Sequence, residues 1–178
     1  MSTIGTLSGK IVDLAQPSSR DIEAADIAAG LSRLPRFCGQ TRLHYSVAQH
    51  SVEVAKLVPE HALSALLHDA AEAYMGDCPR PLKELLGNAW HSIERRLHAA
   101  ICERFGISNE IPGKIKWADE VMLITENRDL QPNKVGWERG AGWPAPRAAA
   151  VVPLPCEQAR ALWLNALRKA LRSSDRVA

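Results

Sequence analysis

The chain has 178 residues, of which 46% are hydrophobic and 24% charged, and its formal net charge is +2. That length suits one domain with its own buried core, and the composition excludes a disordered or collagen-like chain. So small a charge gives no whole-chain footprint for nucleic acid, and no apolar stretch is long enough to span a bilayer, so neither a stable nucleic-acid partner nor a membrane is expected.

In chain order, Ser8–Leu14 reads as a short strand or hairpin arm ahead of the turn at Pro17-Ser18-Ser19. A helix follows from about Glu23 to Arg33, with Ile27, Leu31 and Leu34 on one side and Pro35 as its stop. After a loop over Arg36–Arg42, a second helix runs from about Ser46 to Leu57. Pro59 opens a third, which is expected to continue to about Tyr74. Gly76, Pro79 and Pro81 place Asp77 and Lys83 in a loop. Leu86, Trp90, Ile93, Leu97, Ile101 and Phe105 predict one long helix over roughly Glu84–Phe105. Another covers about Gly113–Arg128. Residues 131–155 hold five of the eleven prolines and read as an ordered, irregular excursion before a terminal helix from about Cys156 to Arg172. The expected class is all-α, a single helical bundle over residues 1–178 with at most a small N-terminal hairpin.

The four cysteines, Cys38, Cys78, Cys102 and Cys156, form no CxxC pair. The N-terminus carries a lone Lys10 and no apolar core of a secretion signal. Together these predict reduced thiols and a cytoplasmic location.

The chemistry concentrates in a few histidines and acids. His50 and His68 each lie nine positions from Pro59, one before and one after. In an antiparallel helix pair, equal distances from the turn mean equal heights, so the two imidazoles can meet across the seam. Asp69 adjoins His68, and the small Ala65, Ala70 and Ala71 allow close helix approach. Asp119 shares a stripe with Ile115, Met122 and Leu123, which should face the core. A carboxylate there is costly unless a cation pairs with it. Two imidazoles and two carboxylates suit one divalent transition metal, with Zn, Co or Mn expected. His44, His61, His91 and His98 read as structural or surface residues.

The strings Tyr45–Ser51, Leu66–Glu72, Gly76–Lys83 and Lys116–Asp119 resemble the motifs of HD-domain phosphohydrolases. The likeness spans about residues 12–130 and is greatest to bacterial 5′-deoxynucleotidases and small phage deoxynucleoside triphosphohydrolases, including dATP-specific ones. The resemblance implies a metal held by His50, His68, Asp69 and Asp119, and catalytic roles for Glu72 and Asp77. It implies a nucleotide pocket at Arg36 and Phe37, with Arg36 and Lys83 as phosphate-binding cations. Arg42 joins that set as a cation on a flanking loop.

A deoxynucleotide is expected over a ribonucleotide, because an aromatic side chain at Phe37 would press on the sugar edge and disfavour a 2′-OH; the likeness to the small phage branch implies a purine deoxynucleoside triphosphate, dATP first. The runner-up is a 5′-deoxynucleotidase acting on monophosphates; a third reading is a catalytically silent nucleotide-binding module. A dinuclear enzyme would need a histidine pair after His68-Asp69, and His91 and His98 do not supply one. A run of Arg168, Lys169, Arg172 and Arg176 lacks interleaved aromatics and reads as a solvated helix face. The resemblance also implies a homo-oligomer.

Overall fold

A computed structural model describes residues 1–131 and 144–174 of the chain. It is all-α apart from one hairpin, with strands β1 (Thr3–Gly5) and β2 (Ile11–Asp13) paired antiparallel so that Ile4 opposes Val12. The helices are α1 (Ala24–Arg33), α2 (Val47–Leu57), α3 (Ala62–Leu67), α4 (Glu72–Met75), α5 (Arg80–Leu86), α6 (Asn88–Phe105), α7 (Gly113–Leu130) and α8 (Cys156–Ser174). Among the described residues, no helix is long and apolar enough to cross a membrane.

The core follows the helical period. Ile27, Leu31, Leu66, Leu67, Ile115, Met122 and Trp163 are fully buried, and α8 closes the bundle over α1, α2 and α3. Ser46 caps α2, its hydroxyl accepting the Gln49 N–H at 3.2 Å, so the helix that carries His50 starts at a fixed place. At the crossing of α1 on α4, Gly30 lies against Ala73. A Cβ there would come within 2.9 Å of the Ala73 side chain and carbonyl, so only glycine allows this approach.

Two expected boundaries are corrected. The third helix does not run on to Tyr74 but ends at Leu67. The Ala65 carbonyl takes the His68 imidazole N–H at 2.7 Å, and main-chain bonds then run three residues back, from Ala70 to Leu67, Glu72 to Asp69 and Tyr74 to Ala71. The chain tightens at the two chemical residues and restarts as α4. The long helix from Glu84 is two, α5 and α6, hinged at Gly87 with φ 57°. Lys83 therefore sits on a helix and not in a loop. Pro79 and Pro81 do not prevent that helix, because they flank and occupy its first turn, where no intrahelical N–H donor is needed.

The described part of the proline-rich segment has no regular structure and is pinned from α2 and α7. The Gln49 side chain donates to the Val152 carbonyl at 2.8 Å and accepts from the Leu154 N–H at 2.9 Å. Arg147 reaches Glu53 at 2.5 Å, and its N–H donates to the Thr125 hydroxyl at 2.9 Å. The remainder of the expected excursion, 132–143, lies outside the described residues, as does Arg176 of the basic run.

Candidate metal centre

Four side chains converge where α2, the α3–α4 junction and α7 meet. The rings of His50 and His68 lie 5.5 Å apart between centroids. His50 Nε2 is 3.1 Å from Asp119 Oδ1 and 3.6 Å from Asp69 Oδ2, and His68 Nε2 is 3.1 Å from the same Asp69 oxygen. Ligand atoms of His50, His68 and Asp119 all lie within 4.8 Å of one another, and Asp69 flanks both imidazoles. Donors about 2.0–2.2 Å from a shared ion fall about 3–4.4 Å apart, a range that holds the 3.1 and 3.6 Å imidazole–carboxylate separations.

The hydrogen bonds behind the rings set which nitrogen faces the cluster. His68 Nδ1 meets the Ala65 carbonyl, which can only accept, so its proton sits on Nδ1. His50 Nδ1 donates to Glu126 Oε1 at 2.6 Å. Both Nε2 atoms are buried and, among the described residues, have no hydrogen-bond partner. With Nδ1 tied up behind it, each ring turns Nε2 toward the carboxylates, and a donor set of two imidazoles and two carboxylates around one point fits a transition metal.

The local field points the same way. Burial and Arg36 both press His50 toward neutrality, yet the Glu126 and Asp119 carboxylates beside it prevail and lift its pKa to about 10. Burial would raise the Asp69 pKa, but His68, His50 and Arg36 hold it well below the usual carboxylate range. Asp119 is likewise lowered, against burial, by the His50 imidazole at 3.1 Å. A field that draws a proton onto buried imidazoles also draws a metal ion.

The cluster forms one wall of a cavity of about 1350 Å³. Arg36, Phe37, Asp69, Glu72, Asp77, Lys83 and Asp119 all line it. Asp119 is thus a cavity-wall residue with its side chain one-third exposed, not one sealed in the core as its stripe suggested. Glu72 is the reverse of a surface glutamate: it is 4% exposed and its Oε2 has no hydrogen-bond partner among the described residues. Burial, then Asp69 and Asp77, push its pKa well above the usual range, with Lys83 at 3.6 Å opposing. Asp77, after the Gly76 turn at φ 87°, is also raised, first by burial.

Phe37 and Cys38 both adopt left-handed backbone, φ 55° and 52°, which non-glycine residues rarely do. The turn is held by the Arg36 N–H to Tyr45 carbonyl bond at 2.8 Å and by the Arg36 guanidinium. That guanidinium lies 3.3 Å from Glu126, 4.0 Å from Asp69 and 5.7 Å from the Phe37 ring centroid. Phe37 is half-buried on the cavity wall and is not part of the apolar core. Arg42 is not brought to the site: it is exposed, outside the cavity lining, with its backbone N–H on the Leu130 carbonyl at 3.4 Å.

Sequence reasoning missed several residues. Glu126 is fully buried and lies seven positions after Asp119, on the same face of α7. Extending the Ile115, Asp119, Met122 stripe by one more step would have reached it. Glu94 accepts from Lys83 at 2.7 Å and so fixes that cation, and His91, read as a surface residue, stands on the cavity rim beside it. Arg80, Lys116 and Arg128 add cations to the lining.

No family model matches the sequence. The chain is 43% identical over 145 residues to the uncharacterized protein YfdR of Escherichia coli (strain K12), an alignment covering 81% of this chain and 78% of that protein. It is 41% identical over 122 residues to an uncharacterized protein of Rhodobacter capsulatus, covering 63% of this chain and 62% of the relative. At that identity and coverage, the chain belongs to the family of the Escherichia coli protein YfdR.

Proposed function

We propose that the chain is an HD-type phosphohydrolase that uses one divalent transition metal to hydrolyse 2′-deoxynucleotides, a purine deoxynucleoside triphosphate such as dATP first. The observation that carries this reading is the pair of buried imidazole Nε2 atoms, without a hydrogen-bond partner among the described residues, facing Asp69 and Asp119 on the wall of a cavity lined by both cations and carboxylates. His50, His68, Asp69 and Asp119 would hold the metal. When bound, it would supply a polarised phosphoryl oxygen and a water of lowered pKa.

The chain's own residues have the remaining tasks. Hydrolysis joins a water oxygen to phosphorus, breaks the bond to the leaving oxygen and moves one proton from the water to the departing group. Glu72 holds a proton further toward neutral pH than an ordinary carboxyl and so can give it to the leaving oxygen and take the attacking water's proton in its place. Asp77, raised in the same sense, stands beside that path on the cavity wall. Lys83 and Arg36 offset phosphate charge, Lys83 being steadied by Glu94. Phe37 offers an aromatic face for a base or a sugar edge.

A screen of deoxy- and ribonucleoside mono- and triphosphates, with phosphate, pyrophosphate and triphosphate separated as products, tests the proposal. Triphosphate release from dATP in preference to ATP is expected. Phosphate release from deoxynucleoside monophosphates alone would turn the reading to a 5′-deoxynucleotidase. Binding without turnover of any nucleotide would leave a silent module.

A further inference from the structure

Glu126 is a carboxylate with no exposed surface, and it receives donors from three residues of the stretch that joins the Arg36 turn to α2. Its Oε1 accepts from His50 Nδ1 at 2.6 Å and from the Tyr45 hydroxyl at 2.8 Å. Its Oε2 accepts from Arg36 Nη2 at 3.3 Å. Tyr45 contributes twice, since its carbonyl also accepts the Arg36 N–H at 2.8 Å. Arg36 closes a ring by reaching Asp69 at 4.0 Å, and Asp69 returns to His50 at 3.6 Å.

We propose that Glu126 is a positioning residue with two limbs: through Oε1 it fixes the His50 tautomer and so the metal, and through Oε2 it anchors Arg36 and the left-handed Phe37 turn that receives the nucleotide. One buried carboxylate sets the metal side and the substrate side of the cavity together. The Oε1 limb rests only on the geometry of His50. The Oε2 limb rests on the phosphohydrolase reading above.

The two oxygens make the limbs separable. In Glu126→Gln, the amide oxygen can still accept from His50 and Tyr45, while its NH₂ faces Arg36, donor against donor. In Glu126→Ala both limbs are lost. Zinc affinity, read by competition with a chelating dye, is expected to fall roughly 10–100-fold in Glu126→Ala and to stay within about threefold of wild type in Glu126→Gln. The far-downfield imidazole N–H proton of His50 in the zinc-loaded protein should persist in Glu126→Gln and vanish in Glu126→Ala. For dATP, Glu126→Gln should raise KM roughly tenfold with kcat little changed, the mark of a lost charge-assisted anchor.

If Glu126→Ala fails to fold, Glu126→Gln decides the matter alone: unchanged zinc affinity with a raised KM supports the proposal, and wild-type KM overturns it. If the two variants lose zinc equally, or folded Glu126→Ala binds zinc as tightly as wild type, Glu126 is only a core support and the proposal is wrong. Absence of turnover in the wild type would sink the phosphohydrolase reading, while the zinc titration would still judge the His50 limb.

Discussion

At the floor of the cavity, His50 and Glu126 have no exposed surface, and Glu126 on α7 answers to atoms elsewhere in the chain, on Tyr45, His50 and Arg36, while His68 is held by the Ala65 carbonyl three residues before it. At the rim, Lys83, Glu94 and His91 answer to one another across α5 and α6, with side chains 22%, 27% and 46% exposed. Around them Leu82, Leu85 and Leu86 of α5 also face outward. The contrast is one of consequence. Removing one partner at the floor strands a buried charge, which is costly because water cannot replace the lost partner. At the rim water can, and exposed pairs are individually weak. The floor is therefore built to hold one geometry, and the rim to exchange its internal ion pairs for those of a ligand.

The largest expected effect beyond the metal ligands tests how far inward that floor extends. Glu72 sits between floor and rim, buried but facing Lys83. Glu72→Ala is expected to keep stoichiometric metal and to lose at least ~10²-fold in kcat, the low end for a general acid–base group. Metal analysis of the purified variant beside its steady-state rate checks this. Loss of metal would make Glu72 a ligand and move the boundary outward.

A smaller effect is expected at Phe37, which marks the boundary on the substrate side. Its ring lines the cavity without joining the apolar core, so truncation should not cost the stability of a core aromatic. Base stacking is worth about 1–3 kcal/mol, so Phe37→Ala should raise KM for a deoxynucleotide by about tenfold or erase the preference over the ribonucleotide. Metal content should not change. A drop in thermal stability with substrate preference intact would assign Phe37 to the scaffold and blur the comparison.

How much of this was legible beforehand follows from the range of each signal. The helical period of α1, α2, α7 and α8 is a local pattern, and those elements appear within a few residues of where it placed them. The meeting of His50 and His68 was legible because one turn at Pro59 fixes both heights. The break after Leu67 was not, since it depends on a side chain bonding the Ala65 carbonyl, which periodicity does not reveal. Lys83 was misplaced because prolines were read as helix stops where they serve as helix starts. Glu126 escaped notice because its three partners come from positions as far as ninety residues away in sequence, and only the folded chain gathers them.

The central claim is that one divalent metal is held by His50, His68, Asp69 and Asp119, and metal analysis of the wild type beside Asp69→Asn tests it most directly. The account predicts one zinc, cobalt or manganese ion per wild-type chain, loss of nucleotide turnover on chelation, and recovery when manganese or cobalt is returned. It predicts a folded Asp69→Asn protein with neither metal nor activity. Two ions per chain, or full turnover by demonstrably metal-free protein, would contradict it.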